Sequence, residues 1–279
     1  MPKVAIGIPH YGPQPVEWWS PLVITAVTLH NQGIELWLPP LTAGTSTTDV
    51  NRNIIVKDFL GTDAEYLFWM DTDNTPPLGA IPRLLGTGYK IVSGLYYGGK
   101  IPDDLTPMAH LKDKDGAYHP LDDVYRWERG EIVPVDGIGF GCCLVHRSVY
   151  EKIQEEYAMF QRLSGGITCV RKDKIRGKID PDKRNSNDGQ VHNGVLYERL
   201  VPVTVVEPRF PFYVCQYGRT EDFWFCELAK SVGFDIMLDT SVEVGHVKTY
   251  NYRGTDYRQQ KGLVTDPSVQ NLVYQVREE

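Results

Sequence analysis

The sequence predicts an α/β fold in which helices cover both faces of a mostly parallel β-sheet. Short apolar runs typical of buried strands alternate with segments typical of helices. Such alternation indicates βαβ units, whose crossover helices pack against the faces of a parallel sheet. Polar residues follow several of the predicted strands, and ligands bind at the carboxyl ends of strands in such sheets. The fold class therefore also predicts where a functional site lies.

The first hundred residues show this alternation most clearly. Serine before proline is typical of a helix start, and glycine of a helix end. The predicted elements are, in order, a strand at Val4–Ile8, a helix from Ser20 to Gly33, a strand at Ile34–Leu38 ended by Pro39 and Pro40, a helix capped by Asp49 and running to about Leu60, a strand at Tyr66–Met70, a short helix near Leu78–Leu85 and a strand at Lys90–Leu95.

The remainder of the chain is less regular. Residues 101–135 are polar and rich in turn-forming residues, which favours a small antiparallel excursion from the sheet. The later predicted elements are a glycine-rich apolar stretch at Val135–Val145, a helix beginning at His146–Ile153, short strands at Val201–Glu207 and Pro211–Cys215, a helix from Glu221 to about Val232 ended by Gly233, and a strand at Phe234–Leu238. No repeat or linker divides the chain into two domains.

The composition excludes several classes of protein. With 279 residues, 42% of them hydrophobic and 23% charged, the chain is not wholly disordered. The 29 basic and 36 acidic residues give a net charge of −7, which disfavours a general nucleic-acid binder. No apolar run could span a bilayer and Met1–Pro9 lacks signal-peptide features, so we expect a cytoplasmic protein. Five cysteines without CxxC spacing predict reduced, mostly buried thiols.

The most informative motif is Asp71-Thr72-Asp73, which directly follows four large apolar residues at 67–70. Two carboxylates so close together are costly unless they are solvated or neutralised. A hard divalent cation that also binds phosphate oxygens would neutralise them. The alternative interpretation is a solvated turn before Pro76 and Pro77.

Three further features are informative when they are considered together with this motif. Glu221 and Asp222 begin a predicted helix, where they either favour the helix dipole or present a carboxylate base. His246 is either structural or a third metal ligand beside the two aspartates. The glycines of Gly137-Ile138-Gly139-Phe140-Gly141 either admit a ligand close to the backbone or form a bulged core strand.

Five segments, taken in order, resemble those of GT-A-fold glycosyltransferases, broadly the family 2 enzymes and their small bacterial and phage relatives. They are distributed over residues 4–247: VAIGIPHYG (4–12), DVNRNIIVKDFL (49–60), YLFWMDTDNTPP (66–77), VDGIGFGCCLVHRSVYEKI (135–153) and TEDFWFCELAKSVGFDIMLDTSVEVGHV (220–247). The resemblance implies a Rossmann-like GT-A domain over 1–279, with a nucleotide-binding half at 1–100, an acceptor-binding half at 101–250 and a C-terminal tail at 251–279.

The same resemblance implies a hexosyltransferase that moves a sugar from a nucleoside-diphosphate sugar, with UDP favoured, to an acceptor hydroxyl. It implies Mn²⁺ or Mg²⁺ held by Asp71, Asp73 and His246, with Asp73 the stronger candidate. Asp222 would be the base of an inverting displacement and Glu221 its substitute. The implied donor-binding residues are Pro9, His10 and Tyr11 in the nucleotide pocket, Arg52 near the base or diphosphate, Asp71, Thr72 and Asp73 at the ribose and diphosphate, and Gly139 and Gly141 under the donor sugar.

Two other functions remain open at this point. Residues 71–75 also match the DxDxT pattern of haloacid-dehalogenase-type phosphatases, in which the first aspartate is the nucleophile. That family carries the motif on its first strand, whereas two predicted strands precede it here. A nucleotide-sugar-binding module without catalysis is the other alternative. A nucleotidyltransferase is disfavoured because GIPHYGP stands where its glycine-rich, arginine-containing loop belongs.

The sequence leaves the acceptor open among sugars, lipid-linked glycans, proteins and modified nucleic acid. Residues 171–184 carry seven Lys and Arg against three Asp. They form either a solvated charged loop or a contact to phosphates, as in a phage-type enzyme that glycosylates a hydroxymethylated DNA base. Five aromatic side chains could stack on sugar rings or belong to the core: Tyr125, Trp127, Tyr213, Tyr217 and Trp224.

Overall fold

A computed structural model describes residues 2–10, 27–44, 47–100, 104–162, 167–174, 191–192, 195–196, 200–202, 210–215, 219–247 and 251–252. The helices are α1 (Thr48–Leu60), α2 (Ala80–Gly86), α3 (Leu121–Val124), α4 (Arg147–Glu156) and α5 (Glu221–Ser231), with a 3₁₀ turn at Lys172–Lys174. The strands are β1 (Lys3–Pro9), β2 (Glu35–Ala43), β3 (Tyr66–Met70), β4 (Asn74–Thr75), β5 (Ile91–Leu95), β6 (Tyr97–Lys100), β7 (Asp104–Pro107), β8 (Ala109–Lys112), β9 (Tyr118–Pro120), β10 (Ile132–Val135), β11 (Gly137–Ile138), β12 (Cys142–His146), β13 (Tyr157–Arg162), β14 (Ile167–Arg171), β15 (Val191–His192), β16 (Val195–Leu196), β17 (Leu200–Pro202), β18 (Ile236–Glu243), β19 (Gly245–Val247) and β20 (Asn251–Tyr252).

The predicted α/β fold with a mixed, mainly parallel sheet is confirmed. Seven strands form the central sheet in the spatial order β10-β18-β5-β12-β3-β1-β2. β1 is parallel to β2 and β3, and β5 is parallel to β18. β12 lies between β3 and β5 and runs antiparallel to both, so those two share one direction. β10 is antiparallel to β18 at the edge of the sheet.

The core is divided between the two faces of this sheet. One apolar cluster includes Phe59 of α1, Tyr150 of α4 and Phe225 of α5. The other includes Leu84 of α2 and Phe68 of β3. Successive residues of a strand point to opposite faces, which is why Phe68 and Trp69 belong to different clusters. Continuous apolar strands are expected where helices cover both faces.

The prediction that Pro39 and Pro40 end the second strand is wrong. β2 continues through both prolines to Ala43. It is the edge strand next to β1, so an absent N–H removes no pairing that the sheet needs. The pairing with β1 is irregular between Ala5 and Gly7, where the register shifts.

Helix boundaries also differ in detail from the expectation. Thr47, not Asp49, is the N-cap of α1, and Asp49 lies in the first turn. Residues 27–31 are helical and Gly33 has φ of 74°, as expected at a helix end. The predicted start of that helix at Ser20 lies outside the described residues.

The less regular part of the chain forms small sheets, as predicted for 101–135. β8 pairs antiparallel with β9 and β11, and β6 pairs with β7. β13 pairs with β14 and β17 to form a separate sheet. The strand expected at Pro211–Cys215 is wrong because this segment is irregular. It is bound to α1 instead, where Asn53 exchanges two hydrogen bonds of 2.7 and 3.1 Å with the backbone of Tyr213.

Four of the five thiols, those of Cys142, Cys143, Cys169 and Cys226, are buried, as predicted, and Cys215 is exposed. Among the described residues, no helix combines the length and apolar character needed to cross a membrane.

Candidate active site

The candidate site lies at the carboxyl edge of β1 and β3. Asp71 directly follows β3, and Pro9 ends the neighbouring parallel strand. β12 runs antiparallel to β3, with Cys142 opposite Met70, so the glycine-rich residues before β12 lie at the same edge. The hydrogen bonds described below place the first turn of α5 there too. The fold thus brings together residues that lie far apart in the sequence.

Arg52 of α1 stands at the centre of this arrangement, with only 1% of its side chain exposed. It donates a 3.1 Å hydrogen bond to Asp71, and its Nε lies 3.4 Å from Asp222 and 3.6 Å from Glu221. Its guanidinium carbon is 5.2–5.9 Å from three ring centroids, those of Trp69, Phe140 and Tyr213. Burial lowers the pKa of Arg52, but the three carboxylates raise it well above its usual value. A buried cation is tolerated because the carboxylates and aromatic faces replace water.

Burial shifts the pKa of two of the carboxylates around Arg52. Burial raises the pKa of Asp222 to about 8, against the lowering effect of Arg52. The backbone N–H of Phe140 donates a 3.3 Å hydrogen bond to the other oxygen of this carboxylate. Burial also raises the pKa of Asp71, and its bond to Arg52 compensates only in part. Asp222 is therefore a stronger base than an ordinary aspartate, which suits proton transfer near neutral pH.

Asp73 points to a different partner from Asp71. Its carboxylate lies 3.1 Å from Nε2 of His246, a buried residue on β19. The other ring nitrogen, Nδ1, lies 2.8 Å from the carbonyl oxygen of Tyr97. Because a carbonyl only accepts, Nδ1 carries a proton and donates it. In the neutral ring Nε2 then presents a lone pair toward the carboxylate, a juxtaposition that a bound cation would stabilise.

The predicted three-ligand metal set is only partly assembled. Asp73 and His246 are in contact, whereas Asp71 is bound to Arg52. Within the described part of the chain, no group of three His, Cys, Asp or Glu side chains is arranged to hold a metal ion. The donor chemistry of Asp73 and His246 suits Mn²⁺ or Mg²⁺ only if oxygens from outside the chain complete the coordination.

The two predicted donor-site glycines are buried and closely backed by side chains. A Cβ on Gly139 would collide with the Tyr96 hydroxyl, and one on Gly141 would collide with the Asn74 amide. Gly141 donates its N–H to the Tyr96 hydroxyl at 3.3 Å. These contacts require glycine for packing at both positions. Whether a donor sugar also lies over this backbone stays a prediction.

Tyr96 and Asn74 are site residues that the sequence analysis missed. The Tyr96 ring meets the His246 ring edge-on at 5.5 Å, and Asn74 pairs with His246 in the β4–β19 ladder. Together they connect the Asp73–His246 pair with the loop that binds Asp222. Tyr96 directly follows β5, so the rule that strand ends carry the site could have indicated it.

Other predicted residues are placed as follows. Thr72 lies in the turn between the two aspartates. Pro9 of β1 pairs with Ala43 of β2. The backbone N–H of His10 donates a 2.9 Å hydrogen bond to the Ala43 carbonyl, and the His10 ring lies against Gly44. Tyr11 lies outside the described residues. Glu221 accepts a hydrogen bond from the Cys215 thiol at 3.3 Å.

The candidate acceptor contacts divide into core and surface residues. Tyr213 is fully buried and stacks on Phe225 at 4.9 Å, so it belongs to the core. Tyr125 is exposed, Trp127 and Trp224 are partly buried, and Tyr217 lies outside the described residues. Of the basic segment 171–184, Arg171 and Lys172 donate to backbone carbonyls, and 175–184 lie outside the described residues.

No protein-family model matches the chain, and no curated protein matches its sequence. Among solved structures, the chain is similar to A197 from STIV, with a TM-score of 0.45 and 18% identity over 89% of this chain and 86% of that one. It is also distantly similar to a glycosyltransferase involved in the glycosylation of the major capsid of PBCV-1. That match has a TM-score of 0.27 and 13% identity over 54% of this chain and 62% of the other. Similarities this weak carry no argument about function.

Proposed function

We propose that the protein is a metal-dependent glycosyltransferase that moves a sugar from a nucleoside-diphosphate sugar, preferentially a UDP-sugar, to an acceptor hydroxyl. The observation that carries this proposal is the division of the two motif aspartates between different partners. Asp73 meets His246, and Asp71 meets the arginine that also contacts Asp222. In this proposal Asp73 and His246 are the cation-binding part of the site and Asp222, whose pKa is raised, is its base.

Asp73 and His246 would hold the cation, and the diphosphate oxygens would complete its coordination. Mn²⁺ or Mg²⁺, when bound, would neutralise the charge that develops on the leaving nucleoside diphosphate. The bond from Nδ1 of His246 to Tyr97 fixes the ring so that Nε2 faces Asp73, beside which the cation would lie. Tyr96 packs against this ring and keeps it in place.

Asp222 would take the proton of the acceptor hydroxyl as that oxygen attacks the anomeric carbon. Attack from the face opposite the leaving group inverts the anomeric centre. The Phe140 N–H orients the carboxylate, and Arg52 balances the charge that the ionised base carries. Glu221 occupies the same helical turn but is bound to Cys215, which leaves Asp222 the better candidate. The acceptor itself stays open between a glycan and a hydroxymethylated DNA base.

The decisive test is release of nucleoside diphosphate from UDP-, GDP- and TDP-sugars with Mn²⁺, with Mg²⁺ and with EDTA. We expect slow hydrolysis of one donor that EDTA abolishes. Asp73→Ala should lose that activity because the cation loses a ligand. Asp222→Ala should lower it by about 10²–10⁴-fold, the usual contribution of a positioned base. Asp58→Asn, a substitution on the exposed face of α1, is the matched control and should leave the rate unchanged.

Two outcomes of this assay would overturn the proposal. Hydrolysis of simple phosphate esters without donor turnover would favour the phosphatase alternative, with Asp71 as nucleophile. Metal-dependent donor binding without any turnover, with or without acceptors, would favour a binding module.

A further inference from the structure

A cavity lies on the flank of α5, away from the carboxyl-edge site. Its volume is about 590 Å³, within the range of roughly 300–1,000 Å³ that small-molecule sites occupy. Its lining comes from three parts of the chain. These are α5 itself, the β8–β9 excursion with Asp136, and the β13–β14 sheet. Both small sheets lie outside the central sheet, and the cavity is an open one that lies where they meet the helix.

The cavity is separated from the candidate active site by the helix. Trp224 lines the cavity and lies two residues after Asp222. Two residues of an α-helix are about 200° apart around its axis, so these side chains leave opposite faces of α5. Glu227, Leu228 and Ser231, which also line the cavity, follow Trp224 at helical spacing. A ligand in this cavity would therefore not overlap the proposed binding position of the nucleotide-sugar donor.

The charged side chains that line the cavity are all held in ion pairs. Lys112 is 2.6 Å from Glu227, and Lys230 is bound to Asp136. Glu227 also accepts from Arg219 and, at 3.3 Å, from the Tyr118 hydroxyl. Because each lysine already has a carboxylate partner, a phosphate or nucleotide would have to displace an existing ion pair. The walls favour a neutral ligand over an anion.

The uncharged part of the lining combines apolar rings with hydrogen-bonding groups. Trp224, Tyr157 and Leu228 supply apolar surface, and the Tyr157 hydroxyl is held 2.7 Å from the Ser231 hydroxyl. The indole nitrogen of Trp224 is buried and has no hydrogen-bond partner among the described residues. Its N–H is therefore closed to a ligand in the cavity, to which the ring offers apolar surface. Aromatic surface beside ordered polar groups suits a ligand with apolar C–H faces and many hydroxyls.

We propose that this cavity binds a neutral saccharide at a site separate from the Asp222 side of α5. The proposal does not depend on the glycosyltransferase function, since it concerns binding alone. The ligand contributes C–H faces to the rings of Trp224 and Tyr157. Its hydroxyls bond to the carboxylates, the lysines and the Ser231 hydroxyl.

The test is a titration of the ¹⁵N-labelled protein with neutral sugars, followed through the tryptophan indole N–H resonances. The panel contains glucose, galactose, mannose, N-acetylglucosamine, maltose, cellobiose and lactose, up to several times a dissociation constant on the order of 1 mM. The Trp224 resonance is identified by its absence in Trp224→Phe. We expect one sugar to shift it saturably and to leave the resonance of Trp37, on the edge strand β2, in place.

Isothermal titration calorimetry then measures how strongly variants of the cavity-lining residues bind the sugar found in the titration. Trp224→Phe keeps an aromatic ring but offers a smaller apolar face and should weaken binding several-fold, and Trp224→Ala should weaken it at least tenfold. Lys230→Met changes an exposed wall residue, so it tests the site even if Trp224→Ala folds poorly; it should also weaken binding. Trp37→Phe is the control and should bind normally.

Three results would overturn the proposal. One is that no sugar of the panel shifts the Trp224 resonance. Another is that only inorganic phosphate or UDP shifts it, which would show that the ligand is an anion. The third is loss of the sugar-induced shift in Asp73→Ala, which would place the sugar at the carboxyl edge. Retained sugar binding in Asp73→Ala, together with failed donor turnover in the wild type, would refute the proposed function alone.

Discussion

At the scale of single residues, the site depends on glycines that leave space for other side chains. Gly139 lies against the Tyr96 hydroxyl, and Tyr96 in turn packs on His246. Gly139→Ala should therefore displace Tyr96 and lower the free energy of unfolding by about 1–3 kcal/mol, the usual cost of overpacking. Equilibrium unfolding in urea measures this change in the free energy of unfolding. Gly86→Ala, where a Cβ meets nothing within 4 Å, is the control and should be neutral or slightly stabilising. Equal effects of the two substitutions would contradict the packing role.

Asp222 should make stability depend on pH in a defined direction. Burial raises its pKa in the folded protein to about 8, above the ordinary value of 3.8 that the group has in an unfolded chain. Between these values the folded state holds a proton that the unfolded state has lost. The free energy of unfolding therefore falls as pH rises through this window, and the loss is complete above about pH 8.

Asp222→Asn removes this dependence because its amide does not ionise. We expect the variant to melt at a higher temperature than the wild type at pH 8, and the difference to shrink toward zero near pH 4. Differential scanning calorimetry at several pH values, in the presence of EDTA, measures this difference in melting temperature. The control is Asp58→Asn on the exposed face of α1, which should follow the wild-type curve. A variant less stable than wild type at pH 8 would show that the ionised carboxylate is needed to hold Arg52.

At the scale of elements, the carboxyl end of α1 is held by an arginine from α4. Arg147 donates hydrogen bonds of 2.9–3.2 Å to the carbonyls of Phe59, Leu60, Thr62 and Ala64. Its guanidinium carbon also lies 4.6 Å from the centroid of the Phe59 ring. A helix leaves its last four carbonyls without helical partners; this one side chain bonds to two of them, those of Phe59 and Leu60, and to two carbonyls of the segment that follows. The contact fixes the helix that carries Arg52 and Asn53.

Arg147→Met should lower the free energy of unfolding by about 2–4 kcal/mol, because several charged hydrogen bonds to half-buried carbonyls are lost. Arg147→Lys should fall between this value and the wild type, since a single ammonium lacks the planar fork of the guanidinium. Tryptophan fluorescence in urea gives both values. Arg126→Met, at an exposed position, provides the reference. If Arg147→Met lowered the free energy of unfolding by less than Arg126→Met does, water would be replacing these hydrogen bonds without a loss of stability.

At the scale of the whole molecule, hydrophobic patterning predicts the central sheet well and the connections poorly. β1, β3, β5 and α5 lie where apolar runs and helix-end glycines indicate them. β2 passes through two prolines because it is an edge strand, and sheet position is a tertiary property. The irregular path of Pro211–Cys215 is set by Asn53, which lies 160 residues away in the sequence. Apolar alternation cannot reveal such long-range partners.

The candidate site, too, has features that the sequence predicts and features that depend on tertiary contacts. Carboxylates at a strand end and at a helix start are visible in the sequence, and the fold does bring Asp71 and Asp222 to one arginine. The separate orientations of Asp71 and Asp73 are not visible there, because partner choice depends on where Arg52 and His246 lie in space. Tyr96 escaped notice because its role comes from the glycines that it packs against.

Ligand linkage connects the site to the stability of the whole chain. A ligand that binds only the folded state raises its stability by about 2.7 kcal/mol at a hundred times the dissociation constant. For a chain of this size each kcal/mol raises the melting temperature by about 2–4 °C, so a shift of roughly 5–10 °C is expected. UDP with Mn²⁺ should produce it, whereas either alone should produce little, because Asp73 and His246 offer a cation only two ligands and the diphosphate needs the cation. Asp73→Ala should abolish the joint shift and Asp58→Asn should retain it. A full shift with UDP in EDTA would show that the nucleotide binds without metal, through the protein's own cations, and that the Asp73–His246 pair has another role.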